Sequence, residues 1–159
     1  MRVVLLLVVA LLCAPMAQAK EPTLRHFVSG SMQKIAQAHR GKPYVLLLWS
    51  LDCMHCAEEL AFFGKLARET PRLPVVIVAT DRPQDSVELS ARLKKFGLAQ
   101  LENWVFDDAV PERLRYEIDR KWRGEVPRSY FFDREHQPHV VTGPPQPEFV
   151  VQWLRENLP

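Results

Sequence analysis

The chain has few cysteines, and their pattern is wrong for a zinc or haem site. Two of its three cysteines belong to one C-x-x-C motif, Cys53-Met54-His55-Cys56. A structural zinc site needs two further ligands, and the sequence has no second C-x-x-C to supply them. Covalent haem attachment needs a histidine after the second cysteine, where this chain has Ala57. The motif must therefore be explained by other chemistry.

The chain also lacks a block of basic residues, an internal repeat and a low-complexity segment. Its formal net charge is only +2, so we expect no nucleic acid and no anionic membrane surface as a partner. The apolar run over residues 3–14 is shorter than the about 20 residues that span a bilayer. We therefore expect no stable membrane insertion of the mature chain.

The first nineteen residues have the pattern of a secretory signal peptide. Arg2 precedes the apolar run, and Ala17-Gln18-Ala19 is a small-residue cleavage site. Cleavage there would leave residues 20–159, the length of one domain. We predict a signal peptide over residues 1–19 and an exported protein, which would be membrane-anchored if the signal were left uncleaved.

Hydrophobic patterns predict an α/β fold with alternating strands and helices. Residues 44–49 and 73–80 are apolar stretches typical of strands covered on both faces. Residues 128–133 and 139–142 flank a polar turn and predict an antiparallel hairpin. No element is predicted over residues 20–30. The remaining predictions are a short strand over 104–106 and helices over 31–39, 57–69, 86–96, 148–157 and from 111 onward. We expect a mixed central sheet with helices on both faces.

The strand over residues 44–49 carries the two cysteines to the N-terminus of the next helix. Unpaired backbone N–H groups and the positive end of the helix dipole favour a thiolate there. We predict that Cys53, at the outer position, is the nucleophile. Cys56, one turn deeper, would then attack the mixed disulfide formed on Cys53.

Two other uses of the pair remain open from the residues alone. A structural disulfide is one, although closing a loop of four residues stabilises a fold by only about 2 kcal/mol. Copper(I) binding by Cys53 and Cys56, with Met54 or His55, is the other, because soft thiolates suit this ion. A copper-binding assembly factor is therefore the alternative function.

Two polar neighbours of the pair should act in opposite directions. His55 can stabilise the Cys53 thiolate when it is protonated or donates a hydrogen bond, which would make the pair more oxidising. The carboxylate of Asp52 destabilises the same thiolate. The sequence alone does not decide between the two.

The order of elements and motifs resembles the thioredoxin superfamily, and within it the exported TlpA/ResA-type thiol-disulfide oxidoreductases. The likeness covers residues 27–157. It rests on residues 46–56 (LLLWSLDCMHC), which stand where that group has its strand, Trp-containing turn and active pair. It rests also on residues 124–133 (GEVPRSYFFD), which stand where it has a cis-proline loop.

The resemblance implies a thioredoxin-like fold in which Val126–Pro127 is a cis peptide facing the disulfide. The backbone of Val126 would pair with an extended substrate segment, and Pro127 would keep metal ions from the thiols. Glu59 matches an acidic position of the group and could aid proton transfer, or it could be an ordinary solvated glutamate. Trp49, the tryptophan nearest the thiols, is a candidate for the substrate surface.

The resemblance also implies protein thiol-disulfide exchange in the periplasm. The direction would be reductive, with electrons from a membrane thiol-electron transporter, substrates such as apocytochrome c or copper-site cysteines, and no dissolved cofactor or metal. Three departures bear on this. Asp52 replaces a usual tryptophan, Met54 replaces a usual proline or glycine, and Leu47 stands where thioredoxins carry a buried acid.

Overall fold

A computed structural model describes residues 21–158 of the chain, so the predicted signal peptide lies outside the described residues. The core element is a six-stranded sheet in the order β1-β4-β3-β2-β5-β6. Its strands are β1 (Leu24–Phe27), β2 (Tyr44–Trp49), β3 (Val75–Ala79), β4 (Glu102–Phe106), β5 (Arg128–Phe132) and β6 (Pro138–Thr142). Strands β1 to β4 pair with one another in parallel, β5 pairs antiparallel with β2, and β5 and β6 form the predicted antiparallel hairpin.

Five α-helices surround this sheet in the described part of the chain. They are α1 (Ser31–Ala38), α2 (Cys56–Glu69), α3 (Ser86–Lys95), α4 (Pro111–Ile118) and α5 (Pro147–Asn157), with a 3₁₀ turn over Pro83–Asp85 before α3. None of the helices found between residues 21 and 158 has the length and apolar character needed to cross a membrane.

The helices cover both faces of the sheet, as the sequence predicts. On one face α2, α3 and α5 pack through residues such as Phe63, Leu89 and Trp153. On the other face α1 and α4 pack through Ile35 and Leu114. Strand β2 is buried along its whole length because it contributes alternate side chains to both cores. The α/β architecture and the mixed sheet are therefore confirmed.

Strand β1 is an element that the sequence patterns did not predict. It is four residues long, and only Phe27 is buried in it. It pairs parallel with β4 at the edge of the sheet, and Phe27 packs on Trp104 and Phe106. Two exposed polar residues in a strand of four hide the alternation that sequence analysis depends on.

Candidate active site

The cysteine pair lies where β2 gives way to α2. Cys53 and Cys56 form a disulfide with an S–S distance of 2.05 Å, and α2 begins at Cys56. Cys53 retains part of its surface in solvent, whereas Cys56 is 1% exposed and packs in the core under α2. The predicted distinction between an outer and an inner cysteine is therefore present in the structure.

The turn that carries Cys53 is held by Asp81, a residue that sequence analysis did not single out. Asp81 lies just beyond β3, and its carboxylate accepts hydrogen bonds from the Leu51 N–H (3.1 Å) and the Ser50 hydroxyl (3.1 Å). The Ser50 oxygen accepts in turn from the Asp52 N–H at 3.3 Å. The sequence did contain a signal for this residue. Asp81 follows a buried strand that is parallel to β2, so it lies at the same end of the sheet as the C-x-x-C motif.

The protonation of Asp81 reflects its position behind the turn. Burial raises the pKa of its carboxyl group, while the hydrogen bonds from Leu51 and Ser50 lower it in part. The ionised carboxylate is the better acceptor for these two donors. The turn is therefore held best by the ionised form of Asp81, although the burial of this carboxyl group favours its neutral form.

Glu59 is buried one turn beyond Cys56 on α2. Its side chain is fully inaccessible, and neither carboxyl oxygen has a hydrogen-bond partner of regular geometry among the described residues. Burial raises the pKa of Glu59 to about 8, and the nearby Ser129 hydroxyl lowers it in part. The interpretation of Glu59 as an ordinary solvated glutamate is therefore wrong, because the start of α2 turns this position into the core.

The buried acid near the cysteine pair lies on α2, because Glu59 is buried there and β2 has Leu47 at the position where the resemblance implies an acid. Leu47 pairs with Ser129 of β5 in the sheet, and Leu47 belongs to the core beneath α2. Side chains of directly paired residues point to the same face of a sheet. Ser129 therefore points to the face of the sheet that α2 covers. The carboxyl group near its hydroxyl is that of Glu59, which belongs to α2 and not to a strand.

The Val126–Pro127 peptide is cis, as the resemblance implies, and it immediately precedes β5, the strand that pairs with β2. Strand β5 pairs antiparallel with β2, with Arg128 opposite Leu48. Leu48 is two residues before Ser50, so this pairing brings Pro127 to the end of β2 at which the turn that carries Cys53 begins. Val126 is partly buried and packs against the core that contains Cys56.

The remaining predicted site residues differ in exposure. Trp49 is 1% exposed and lies in the core beneath α2, so it does not line a substrate surface; the last position of a fully buried strand points it inward. Asp52 and His55 are exposed, and their opposing effects on Cys53 stay predictions. Met54, between the two cysteines in the sequence, is 83% exposed.

The described residues do not add ligands to a copper site at the pair. From residue 21 to residue 158 there is no group of three or more histidine, cysteine, aspartate or glutamate side chains placed to hold a metal ion. Copper(I) binding by Cys53 and Cys56, with Met54 or His55, stays a prediction.

Comparisons with known proteins identify the fold. No protein-family model matches the chain, and no curated protein matches it at a significant level. Solved structures do match. A secreted disulfide oxidoreductase of Mycobacterium tuberculosis, described as homologous to E. coli DsbE, is 18% identical with a TM-score of 0.58, over 76% of this chain and 85% of that one.

Two further structures give the same result. A thioredoxin-family thiol:disulfide interchange protein of Chlorobium tepidum is 16% identical with a TM-score of 0.61, over 78% of this chain and 85% of that one. A thio-disulfide isomerase of Thermus thermophilus is 22% identical with a TM-score of 0.57, over 74% and 80%. Together with the sheet order and the position of the disulfide, these likenesses show that the chain has a thioredoxin-like fold.

Proposed function

We propose that the chain is an exported thiol-disulfide oxidoreductase that exchanges disulfides with protein partners. The observation that carries this proposal is the asymmetric pair at the start of α2, with Cys53 accessible and Cys56 buried against the core. An inert structural disulfide would not need an accessible sulfur at a helix N-terminus. The names of the similar structures support the same chemistry.

In the reductive direction, the Cys53 thiolate attacks one sulfur of a substrate disulfide. The substrate S–S bond breaks, a mixed disulfide forms, and the other substrate sulfur leaves as a thiolate. The sulfur of Cys56, once deprotonated, then attacks Cys53 and closes the Cys53–Cys56 disulfide. The second substrate sulfur leaves, so two electrons have passed from the protein to the substrate.

Glu59 is the proposed acceptor for the proton of Cys56. The two residues are three positions apart on α2 and therefore lie on the same face of the helix. A carboxyl group with a pKa of about 8 is close to the ordinary value of a thiol, so the proton can pass in either direction with little cost. Glu59 must be ionised to accept it, so this step should accelerate as the pH rises through about 8.

The backbone at Val126 is the proposed binding site for the substrate chain. It precedes β5 at the end of the sheet where β2 leads into the turn that carries Cys53, and an extended peptide can form main-chain hydrogen bonds with such a segment. Pairing there would hold a substrate cysteine next to Cys53. Recognition through the backbone suits a protein that acts on several polypeptides.

The remaining parts of the proposal rest on the resemblance. We place the mature protein in the periplasm, where it would receive electrons from the dithiol of a membrane thiol-electron transporter. Its substrates would be cysteines of apocytochrome c or of copper sites. No dissolved cofactor takes part, because the cysteine pair itself carries the two electrons.

A trapping experiment tests the proposed exchange. In the Cys56→Ala variant the mixed disulfide on Cys53 cannot be resolved, so we expect partners to accumulate as covalent adducts in the native host. Purification without reductant, followed by mass spectrometry, would identify them. The Cys53→Ala variant is the matched control and should trap nothing, because Cys56 is buried. Equal recovery from both variants, or no adduct at all, would refute the mechanism.

A further inference from the structure

An ion pair joins the two ends of the loop that contains the cis peptide. We call residues 119–127 the proline loop; it begins where α4 ends and finishes at Pro127. Asp119 is the first residue of the loop, and Arg128 is the first residue after it. Arg128 Nη2 donates a hydrogen bond to Asp119 Oδ2 at 3.0 Å. One ion pair therefore closes the whole loop.

A tyrosine completes this connection. Arg128 Nε donates to the Tyr130 hydroxyl at 2.7 Å, and that hydroxyl donates to Asp119 Oδ2 at 3.2 Å. The side chains of Arg128 and Asp119 are only 15% and 21% exposed. Charge-assisted bonds of this kind, partly shielded from water, are stronger than surface ion pairs. We call these three residues the loop clamp.

The inside of the proline loop is also fixed. Trp122 is 3% exposed and packs in the core on the side of α1 and α4. Its indole N–H donates to the Glu125 carbonyl at 2.8 Å, one residue before Val126. The conformation presented at Val126 is thus tied to a buried ring as well as to the clamp.

The loop clamp lies on the opposite face of the sheet from the sulfurs. Tyr130 packs with Leu46 and Leu48 in the core under α1 and α4, and Arg128 pairs with Leu48 across the strands. Cys56 belongs to the other core. The clamp can therefore influence the reaction chiefly by positioning the proline loop, and not by contact with the thiols.

We propose that the clamp formed by Asp119, Arg128 and Tyr130 is a positioning device that holds Val126 ready for a polypeptide substrate without taking part in the thiol chemistry. This inference rests on the proposed exchange function. A substrate that needs the Val126 backbone should depend on the clamp, because a loop that must be ordered on binding weakens affinity. A small disulfide that needs only Cys53 should not.

The test compares two substrates with the Arg128→Met variant, which keeps a long side chain but removes the guanidinium. For insulin, a polypeptide disulfide, we expect KM to rise about tenfold with little change in kcat, as expected from the loss of charge-assisted hydrogen bonds. For hydroxyethyl disulfide, which has no peptide backbone, we expect the wild-type rate, and we expect the wild-type reduction potential. Arg25→Met, which removes the guanidinium paired with Glu102 at the far edge of the sheet, should change neither reaction.

The outcomes separate this inference from the proposed function. If the wild-type protein reacts with neither disulfide, the proposed function fails. If the wild-type protein is active and the Arg128→Met variant has an unchanged KM for insulin, or loses both reactions equally while still folded, the clamp inference alone is overturned. Tyr130→Phe, which removes a single hydroxyl and keeps the ring, gives the same test in a smaller step should Arg128→Met fail to fold. It should show a smaller rise in the same KM.

Discussion

At the scale of single residues, the site depends on carboxyl groups whose surroundings oppose ionisation. Burial raises the pKa of both Glu59 and Asp81, but the two differ in their partners. Asp81 accepts hydrogen bonds from the active turn, whereas the oxygens of Glu59 have no regular partner in the described structure. An acid held without partners is poorly suited to stabilising a fold, and it fits a role in moving protons.

The Glu59→Gln substitution should change the pH dependence of stability. Because the pKa of Glu59 rises from 4.5 to about 8 on folding, the native state holds the proton more tightly than the unfolded state. Its contribution to stability is full below about pH 4.5 and is lost as the pH rises through about 8. Glu59→Gln should therefore gain stability relative to wild type between these values, measured by urea unfolding across the pH range.

The same variant should slow exchange, since an amide cannot accept the Cys56 proton. We expect a reduction of about tenfold or more in the closing of the Cys53–Cys56 disulfide, and loss of the rise near pH 8. Glu58→Gln is the matched control, because Glu58 is exposed on the same helical turn. Parallel pH profiles for Glu59→Gln and wild type would argue against the proton role.

At the scale of elements, the end of β3 organises the turn that follows β2. Thr80 N–H donates to the Trp49 carbonyl at 2.9 Å, and Asp81 then accepts from the turn residues Ser50 and Leu51. The position of Cys53 is therefore set by a neighbouring strand as well as by its own. Sequence analysis placed both strands correctly, but it had no means of pairing the residues at their ends.

Substitution of Asp81 measures this coupling between the two strands. Asp81→Ala leaves the Leu51 N–H and the Ser50 hydroxyl without their acceptor and should destabilise the protein by about 1–3 kcal/mol. Asp81→Asn keeps one acceptor oxygen and should cost less. Chemical unfolding of the disulfide-bonded protein gives both values. Equal losses for the two variants would mean that charge, rather than hydrogen bonding, holds the turn.

At the scale of the whole molecule, stability should decrease from the centre of the sheet to its edges. Strands β2 and β3 are buried along their entire length and are covered by helices on both faces. Strand β6 is an edge strand with four of its five residues exposed. The turn that carries Cys53 follows β2, so the cysteine pair comes directly after one of the most deeply buried strands of the sheet.

Hydrogen exchange should display this gradient directly. Amides of β2 and β3 should exchange only through global unfolding, whereas those of β6 should exchange through local opening of the edge. Mass spectrometry on proteolytic fragments gives the ranking, with β5 as an internal reference because it lies between the two regimes. Slower exchange in β6 than in β3 would contradict the proposed distribution of stability.

The sequence alone predicted the α/β class, the helices and strands around the C-x-x-C motif and the distinction between Cys53 and Cys56. These features follow from local patterns, namely apolar runs and the start of a helix. Only the tertiary structure revealed β1, the burial of Glu59 and Trp49, the hydrogen bonds of Asp81 to the turn before Cys53, and the ion pair between Asp119 and Arg128. The contacts of Asp81 join segments about thirty residues apart, and the ion pair between Asp119 and Arg128 depends on the path of the loop between them. Neither kind of contact produces a periodic pattern of apolar residues in the sequence.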